Sequence, residues 1–361
     1  MNPGLVIKLR PTGPWRIGPD SGARNRVDLI YHSDSLYSAV TGALARLGPI
    51  EEWLSATACA DGSNGPPGVC FSSCFPFLDE IGFVAPPRTI WPPASPALLT
   101  GRVRWKSARF VPLGIVQAIL AGQALDDSHW NIDGPSECLV PAGRSGPFRT
   151  GVRWSAAVDR LTGASERHST ACIEFRPGAG LWALASFADD AARTRWLDPV
   201  KAAFRLLADT GFGGERSRGW GRSESPEFVE GTMPVMIIGG HNGRSQMSDA
   251  GSQMAERAEP VSGPQDLTSR AHWLLSAFIP AQSDSIEWRR GNYTVLTRGG
   301  RVESPAGSGE LKKQLQMVAE GSVLYAPAAP RGSAANVAPD GFAHPVFRAG
   351  FAVSIPLPEV S

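Results

Sequence analysis

Residues 211–221 read Gly-Phe-Gly-Gly-Glu-Arg-Ser-Arg-Gly-Trp-Gly, so five of eleven positions are glycine. The preceding segment carries Val200, Phe204 and Leu207 at helical spacing, and residues 224–229 have the pattern of a strand. Dinucleotide-binding and P-loop motifs need a strand before the glycines and a helix after them. The order of elements here therefore excludes both of these nucleotide-binding folds.

The composition of this loop favours an anionic ligand. Glycine permits close approach to the backbone, and exposed backbone N–H groups bind anions. Arg216 and Arg218 flank Ser217 at its centre, and arginine binds phosphate in a bidentate manner. The loop is therefore predicted to bind a polyanion. A tight glycine-rich connection without a ligand is the alternative.

The overall composition is that of a globular protein. The chain has 361 residues, 42% of them hydrophobic and 19% charged, which favours two domains. The net charge of +1 argues against a uniformly basic nucleic-acid binder, but it permits local basic surfaces. Only five of the 35 cationic residues are lysine, a bias that fits either phosphate binding or a GC-rich genome.

Location is suggested by the apolar segments and the cysteines. No apolar run approaches the roughly 20 residues of a membrane helix, and no signal peptide is evident. The cysteines are odd in number and scattered, at Cys59, Cys70, Cys74, Cys138 and Cys172. A reducing cytoplasm is therefore expected rather than a disulfide framework.

The first two thirds of the chain predicts a βαββαβ ferredoxin-like unit. The expected helices start after His32, with Ser33 or Asp34 as cap, at Pro112, and at Asp198-Pro199. The expected strands cover residues 5–9, 171–175, 181–187 and 224–229, and residues 126–149 are expected to be irregular.

The last third predicts a second, degraded ferredoxin-like unit, so the fold class is α+β. Residues 240–268 are polar and form a linker or loop in this interpretation. Strands are expected at 272–279, 292–296, 321–325 and 351–357, with a helix at 310–320. The expected domains are residues 1–232 and 233–361.

The sequence offers few candidates for metal or acid–base chemistry. Cys70 and Cys74 lack a second ligand pair at zinc-binding spacing, so no metal site is expected. His32 follows a polar, arginine-containing loop. It is either a structural histidine or a general acid or base near an RNA backbone. Asp34 is expected to cap the helix, and His168 to be a solvated loop residue.

Several tryptophans lie near arginine or proline, and one or two of them are expected to stack on a ligand. The alternative for each is a place in the core. The five candidates are Trp15, Trp91, Trp105, Trp154 and Trp220.

Six segments have a recognisable pattern and lie in order along nearly the whole chain, at residues 32–39, 158–163, 211–221, 293–301, 321–324 and 344–350. Together they resemble RAMP-superfamily subunits of type III CRISPR effector complexes. The similarity is greatest to the fourth subunit of the Csm complex, in the group that caps the 5′ handle of the crRNA. The third subunit of the Cmr complex has the same layout, so the subtype stays open.

The resemblance implies a non-catalytic subunit without a cofactor that binds the 5′ handle. Its implied partners are the crRNA, the large polymerase/cyclase-like subunit and the first backbone RAMP subunit. An extended hairpin, the thumb, would displace a base, and residues 126–171 are the candidate. The implied RNA-binding residues are His32, Ser33, Ser35, Arg144, Arg149, Arg153, Arg160, Gly211, Gly213, Gly214, Arg216, Ser217, Arg218 and Gly219.

Two rival functions remain open at this point. One is a metal-independent RAMP endoribonuclease that processes repeat RNA, with His32 as acid or base. The other is a scaffold that contacts only proteins.

Overall fold

The computed structural model describes residues 2–19, 22–58, 65–93, 105–123, 125–239, 269–304 and 307–358. The expected linker at 240–268 lies outside these residues. Within them the helices are α1 (Ser33–Leu47), α2 (Ile50–Thr57), α3 (Leu113–Leu120), α4 (Asp190–Thr210) and α5 (Val235–Ile238). Short 3-10 helices cover Asp127–His129 and Arg216–Arg218.

The strands up to the end of α5 are β1 (Pro3–Leu9), β2 (Val69–Phe71), β3 (Phe75–Leu78), β4 (Ile81–Val84), β5 (Val111–Pro112), β6 (Trp130–Asp133), β7 (Cys138–Pro141), β8 (Phe148–Val158), β9 (Ser165–Phe175), β10 (Ala179–Phe187) and β11 (Glu227–Thr232). The later strands are β12 (Arg270–Leu274), β13 (Val295–Arg298), β14 (Arg301–Ser304), β15 (Gly307–Leu311), β16 (Leu315–Val318), β17 (Val323–Ala326), β18 (Gly332–Asn336), β19 (Phe347–Phe351) and β20 (Ser354–Pro356). The fold is thus α+β, and every named strand pair is antiparallel.

A seven-stranded sheet is the largest in the described chain. Its order is β11-β1-β10-β3-β4-β5, and β2 also pairs with β10. Leu5, Ile7 and Leu9 alternate along β1 and are fully buried, as expected for a strand with one face on a core. Strand β10 is buried along nearly its whole length, which fits its central position between β1 and β3.

Helices α1 and α4 pack against each other and against this sheet. Leu36, Val40 and Leu44 form the buried stripe of α1, as its helical period predicts. Gly48 ends α1, and its N–H donates to the carbonyl of Leu44 at 2.9 Å.

The predicted start of α4 at Asp198-Pro199 is wrong. The helix begins at Asp190, because the Asp189 side chain accepts a hydrogen bond from the N–H of Ala192 at 2.7 Å. Pro199 lies inside the helix, where it removes one backbone bond. Burial of Trp196 and Phe204 on either side offsets that loss.

The predicted capping of α1 by Ser33 or Asp34 is also wrong. His32 occupies the cap position, and its side chain makes no cap hydrogen bond. The Ser33 hydroxyl instead accepts the N–H of Ala277 at 3.0 Å, and Asp34 accepts two bonds from Arg298 at 3.1 Å. Both side chains are buried, so distant partners replace the local cap.

The C-terminal part forms a three-stranded sheet, β17-β12-β20, and three hairpin-like strand pairs, β13–β16, β14–β15 and β18–β19. The helix expected at 310–320 is wrong, because this segment contains the end of β15 and all of β16. Met317 on β16 is buried, and the strand pairs with β13. Tertiary pairing thus overrides the local helical pattern.

Two hairpins occupy the segment from 126 to 175. The stretch expected to be irregular contains β6 and β7, which pair from Trp130↔Pro141 to Asp133↔Cys138. Strands β8 and β9 have 11 residues each and pair along their full length, from Phe148↔Phe175 to Val158↔Ser165. Residues 156–167 at the far end are all exposed, so this hairpin projects from the protein.

The two parts of the chain share one hydrophobic core. Tyr37 of α1 packs edge-to-face on Phe351 of β19, with ring centroids 5.7 Å apart. Beside this contact, the buried Asp34 carboxylate binds both Arg298 and Arg348. No helix in the described residues is long and apolar enough to cross a membrane.

We expect Asp34→Ala to lower the free energy of unfolding by about 3–5 kcal/mol, because it leaves two buried guanidinium groups without their counter-ion. Asp209→Ala, which removes an exposed carboxylate from α4, is the matched control and should change stability little. Urea unfolding followed by circular dichroism measures both. Equal, small losses in the two variants would contradict the stabilising role of Asp34.

Candidate nucleic-acid interface

The glycine-rich loop follows α4 and is anchored by one buried aromatic residue. The Phe212 ring packs edge-to-face on Trp15 and on Tyr31, with centroid distances of 4.6 and 5.1 Å. At the other end of the loop, the Gly221 N–H donates to the carbonyl of Pro14 at 3.0 Å. The loop is therefore held against the segment that follows β1.

Two glycines are required by this close packing. Gly213 has φ +88° and Gly221 has φ +77°, in the region that favours glycine. A Cβ atom would lie 2.7 Å from the Arg16 carbonyl oxygen at Gly213, and 2.1 Å from the Phe212 carbonyl oxygen at Gly221. The glycine content of the loop thus has a steric cause in addition to any ligand.

The centre of the loop is a 3-10 turn that presents Arg216, Ser217 and Arg218 to solvent. Glu215 and Gly219, both with positive φ, bound this turn. The Arg218 guanidinium donates to the Ser155 hydroxyl at 3.0 Å and lies 3.3 Å from His168 Nε2. Arg218 therefore links the glycine-rich loop to one face of the β8–β9 hairpin.

Arg16 supports the loop from its buried side, although it is not among the site residues predicted from the sequence. Its buried guanidinium donates to the carbonyls of Ala23, Arg24 and Ala171 at 2.8–3.0 Å, and to that of Arg26 at 3.4 Å. Its own carbonyl accepts the Gly214 N–H at 2.8 Å. A lone arginine after a proline and a tryptophan carries no sequence signal for this role.

The base of the hairpin carries a second cationic cluster. Arg149 and Arg153 lie on the same face of β8 as Ser155, and both bind Glu174 of β9, at 3.0 and 2.5 Å. They border an open groove of about 580 Å³. Its lining comprises Pro11, Thr12, Gly13, Pro14, Arg149, Arg153, Glu174, Phe175, Arg176 and Pro177.

The opposite face of the hairpin is apolar and exposed. Val152, Trp154 and Val158 lie on it, and Trp154 is 64% exposed. The Arg167 guanidinium lies over the Trp154 ring, 5.0 Å from the ring centroid. At the tip, Leu161 is 96% exposed, and Asp159 accepts its backbone N–H at 2.8 Å. The hairpin therefore has one polar face, which carries Arg149, Arg153 and Glu174, and one apolar face.

The structure brings some of the expected site residues together and separates others. One region contains Arg149, Arg153 and residues 211–219, because Arg218 of the loop contacts the hairpin that carries the two other arginines. Arg160 is exposed at the hairpin tip, and Arg144 is exposed in the turn after β7.

Of the five candidate tryptophans, only Trp154 is exposed. Trp15, Trp105 and Trp220 are buried, and Trp91 stacks on Trp105.

His32 does not contact solvent as an RNA-binding residue would. It is 6% exposed, its Nδ1 lies 2.8 Å from Glu320, and its Nε2 lies 3.1 Å from Asp28. Burial alone would lower the pKa of His32, but the Glu320 charge and the bonds to both carboxylates raise it to about 10. The imidazolium is thus a buried structural cation, which is a poor general base.

The two serines beside His32 also have structural partners. Ser33 is buried beneath Ala277, as described above, and the Ser35 hydroxyl accepts a bond from Arg298 at 2.9 Å. The expected contacts of His32 and Ser33 with RNA thus gain no support from this geometry, because both side chains are buried and have protein partners. All three residues join α1 to the C-terminal part.

The cysteines are free where they are described, and burial raises the pKa of Cys70 to about 12. Burial also raises the pKa of Cys74. Within the described residues, no group of three or more His, Cys, Asp or Glu side chains is placed to hold a metal ion.

Stability should depend on pH through His32. Folding raises the pKa of His32. Its ion pairs therefore contribute fully to the free energy of unfolding below about pH 6.5, and this contribution is lost as the pH rises through about 10. We expect the stability difference between the wild type and His32→Gln to shrink across this window. Urea unfolding at a series of pH values measures it, and a constant or growing difference would contradict the ion pairs of His32.

Gly221→Ala should disrupt the loop by steric overlap with Phe212. Gly219 has nearly the same φ, +79°, but open space around its Cβ position, so Gly219→Ala is the matched control. We expect the control to cost about 1 kcal/mol from backbone strain, and Gly221→Ala to cost clearly more. Thermal unfolding compares them, and equal costs would refute the steric argument.

No curated protein matches the sequence. Residues 268–357 match the family described as the CRISPR Csm4 C-terminal domain. A chain of a Csm3-Csm4 subcomplex from a type III-A CRISPR-Cas interference complex is similar in structure, with TM-score 0.60, 14% identity, and coverage of 98% of this chain and 100% of that one.

Two further similar chains come from Csm1-Csm4 cassettes, crystallised with cA4 and with pppApA. Their TM-scores are 0.56 and 0.54, both at 17% identity, and they cover 99% of this chain and 99% and 98% of their own. At these identities the structural likeness establishes a common fold. Residues 268–357 of this chain thus match the Csm4 C-terminal domain family, and the whole chain shares the fold of the similar chains in these Csm4-containing assemblies.

Proposed function

We propose that the protein is a non-catalytic, RNA-binding subunit of a type III-A CRISPR interference complex that holds the 5′ handle of the crRNA. One observation carries this proposal: Arg218 joins the glycine-rich loop to the polar face of the β8–β9 hairpin, which carries Arg149 and Arg153. The two elements form one surface suited to a polyanion, although the net charge of the chain is only +1.

Single-stranded RNA fits this surface better than duplex does. Phosphates would contact Arg216 and Arg218 and the backbone of the glycine-rich loop. Unpaired bases would stack on exposed aromatic or guanidinium planes, such as Trp154 with Arg167 over its ring on the opposite face of the same hairpin. Arg149, Arg153 and Arg160 would extend the contact along the hairpin.

We assign the thumb role to the β8–β9 hairpin, residues 148–175, instead of the broader segment 126–171. Its tip turn is organised by Asp159, whose carboxylate accepts the backbone N–H groups of Leu161 and Thr162. A fixed turn with an exposed Leu161 suits the displacement of a base, because an apolar wedge can separate stacked neighbours.

The proposed protein partners follow from the assemblies that contain similar chains. Those chains come from structures with Csm1 and with Csm3. We therefore propose that this subunit bridges the large polymerase/cyclase-like subunit to the backbone RAMP subunits. A cytoplasmic location accompanies this proposal.

A ferredoxin-like N-terminal domain, residues 1–232, is part of the proposal. The strand order β11-β1-β10-β3 supports it, with α1 between β1 and β2 and α4 between β10 and β11. That order corresponds to strands 4-1-3-2 of a βαββαβ unit. Residues 233–361 would form the second, degraded domain.

The endoribonuclease alternative receives no support from His32. The ring is buried, both nitrogens face carboxylates, and its pKa is raised to about 10. A general acid or base needs access to the scissile phosphate and a pKa near the working pH. His32 has neither, so a binding role accounts better for the geometry.

We expect the double variant Arg216→Ala plus Arg218→Ala to bind 5′-handle RNA at least about tenfold more weakly, because two charged phosphate contacts are lost. The slope of log affinity against log salt should also fall by roughly one to two. Both side chains are exposed, so the fold should survive. Fluorescence anisotropy with handle RNA measures affinity, and circular dichroism checks folding.

The matched control is Arg195→Ala plus Arg205→Ala, which removes two exposed arginines from α4. It should leave handle binding within about twofold of wild type, since these positions lie outside the proposed surface. Equal losses in the two double variants would indicate a general charge effect. Unchanged crRNA retention by the Arg216/Arg218 variant in a purified complex would overturn the proposal.

A further inference from the structure

The groove at the base of the β8–β9 hairpin contains a residue that phosphate binding does not explain. Three arginines line the groove, Arg149, Arg153 and Arg176, together with one acid, Glu174. A carboxylate in a phosphate-binding groove repels the ligand and cancels a neighbouring positive charge. Its presence there suggests contact with another part of the ligand.

Glu174 is held in a defined position by its neighbours. Its Oε2 accepts a hydrogen bond from Nε of Arg149 at 3.0 Å and lies 3.0 Å from Nη2 of the same residue. Its Oε1 lies 2.5 Å from Nη2 of Arg153 in a second ion pair. Gly151 lies between the two arginines on β8, and a Cβ there would lie 3.0 Å from the Glu174 carboxyl carbon. The missing side chain gives the carboxylate the room to bridge both arginines.

This arrangement leaves hydrogen-bonding capacity on both sides. A carboxylate offers about four acceptor positions, and the two arginines occupy at most three of them. Each guanidinium has five N–H donors, so Arg149 and Arg153 retain donors for a phosphate. The cluster of Arg149, Arg153 and Glu174 can therefore bind an anion through its arginines and one further N–H donor through Glu174.

The remaining lining suits a nucleobase. Pro11, Pro14, Phe175 and Pro177 contribute apolar surface, and the volume of about 580 Å³ accommodates a planar ring. The Phe175 ring is fixed by edge-to-face contacts with Trp15 and Phe148, at centroid distances of 6.3 and 5.8 Å. A base would thus meet apolar walls and a carboxylate, with phosphates directed to the arginines.

We propose that this groove binds one unpaired nucleotide of the RNA and that Glu174 accepts a hydrogen bond from the exocyclic amino group of its base. The inference rests on the proposed RNA-binding function and adds a base preference to it. Adenine, cytosine and guanine carry such a group, and uracil does not. The groove therefore selects against uridine.

The test is the affinity of the full chain for pentauridylate and for the same RNA with a central adenosine or cytidine, measured by fluorescence anisotropy. We expect the amino-bearing RNAs to bind about tenfold more tightly, the effect of one charge-assisted hydrogen bond. A central N6,N6-dimethyladenosine, which has no N–H donor, should bind like uridine.

Glu174→Ala should abolish the preference while raising affinity for pentauridylate, because it removes a negative charge and frees two arginines. Glu166→Ala removes an exposed acid from the same strand outside the groove and should keep the preference. The dimethyladenosine comparison uses wild-type protein, so it stands even if a variant misfolds.

The outcomes separate the two proposals. If no RNA binds, the proposed RNA-binding function fails. If wild type binds all RNAs equally, or if Glu174→Ala keeps the preference, RNA binding stands and the role of Glu174 is refuted. Glu174 would then serve only to neutralise the arginines of the hairpin.

Discussion

The start of α1 is where buried charges join the two parts of the chain. Asp34 binds Arg298 and Arg348, and His32 lies between Glu320 and Asp28. Burying these groups is costly unless each is paired, so the C-terminal segments must meet α1 in one arrangement. Tyr31, directly before them, packs on Phe212 of the glycine-rich loop. The same short segment thereby positions the C-terminal part and the proposed RNA surface.

Support for that surface comes from residues that would not touch RNA. Arg16 organises the carbonyls of residues 23–26 and backs Gly214, while Phe212 fixes the start of the loop. The exposed arginines are then presented from a rigid base. A loop that is already ordered loses less conformational entropy when RNA binds, and this favours stable retention of the RNA over transient contact.

Features with a local cause could be predicted from the sequence. Strand β1, the end of α1 at Gly48 and the glycine-rich loop after a helix follow from periodicity and glycine placement. The structural roles of His32, Ser33 and Asp34 cannot be predicted locally, because their partners Glu320, Ala277 and Arg298 lie more than 240 residues away. The strand at Leu315–Val318 has the local pattern of a helix, since its pairing with β13 leaves no local signal. The roles of Arg16 and Glu174 depend on distant contacts in the same way.

The most direct test of the account is to map protein–RNA crosslinks in the assembled complex with a photoreactive crRNA handle. The account predicts crosslinks to residues 211–221 and to the polar face of the β8–β9 hairpin, with none to His32 or Ser33. Handle crosslinks confined to other surfaces, or a complex in which this subunit contacts only proteins, would contradict it.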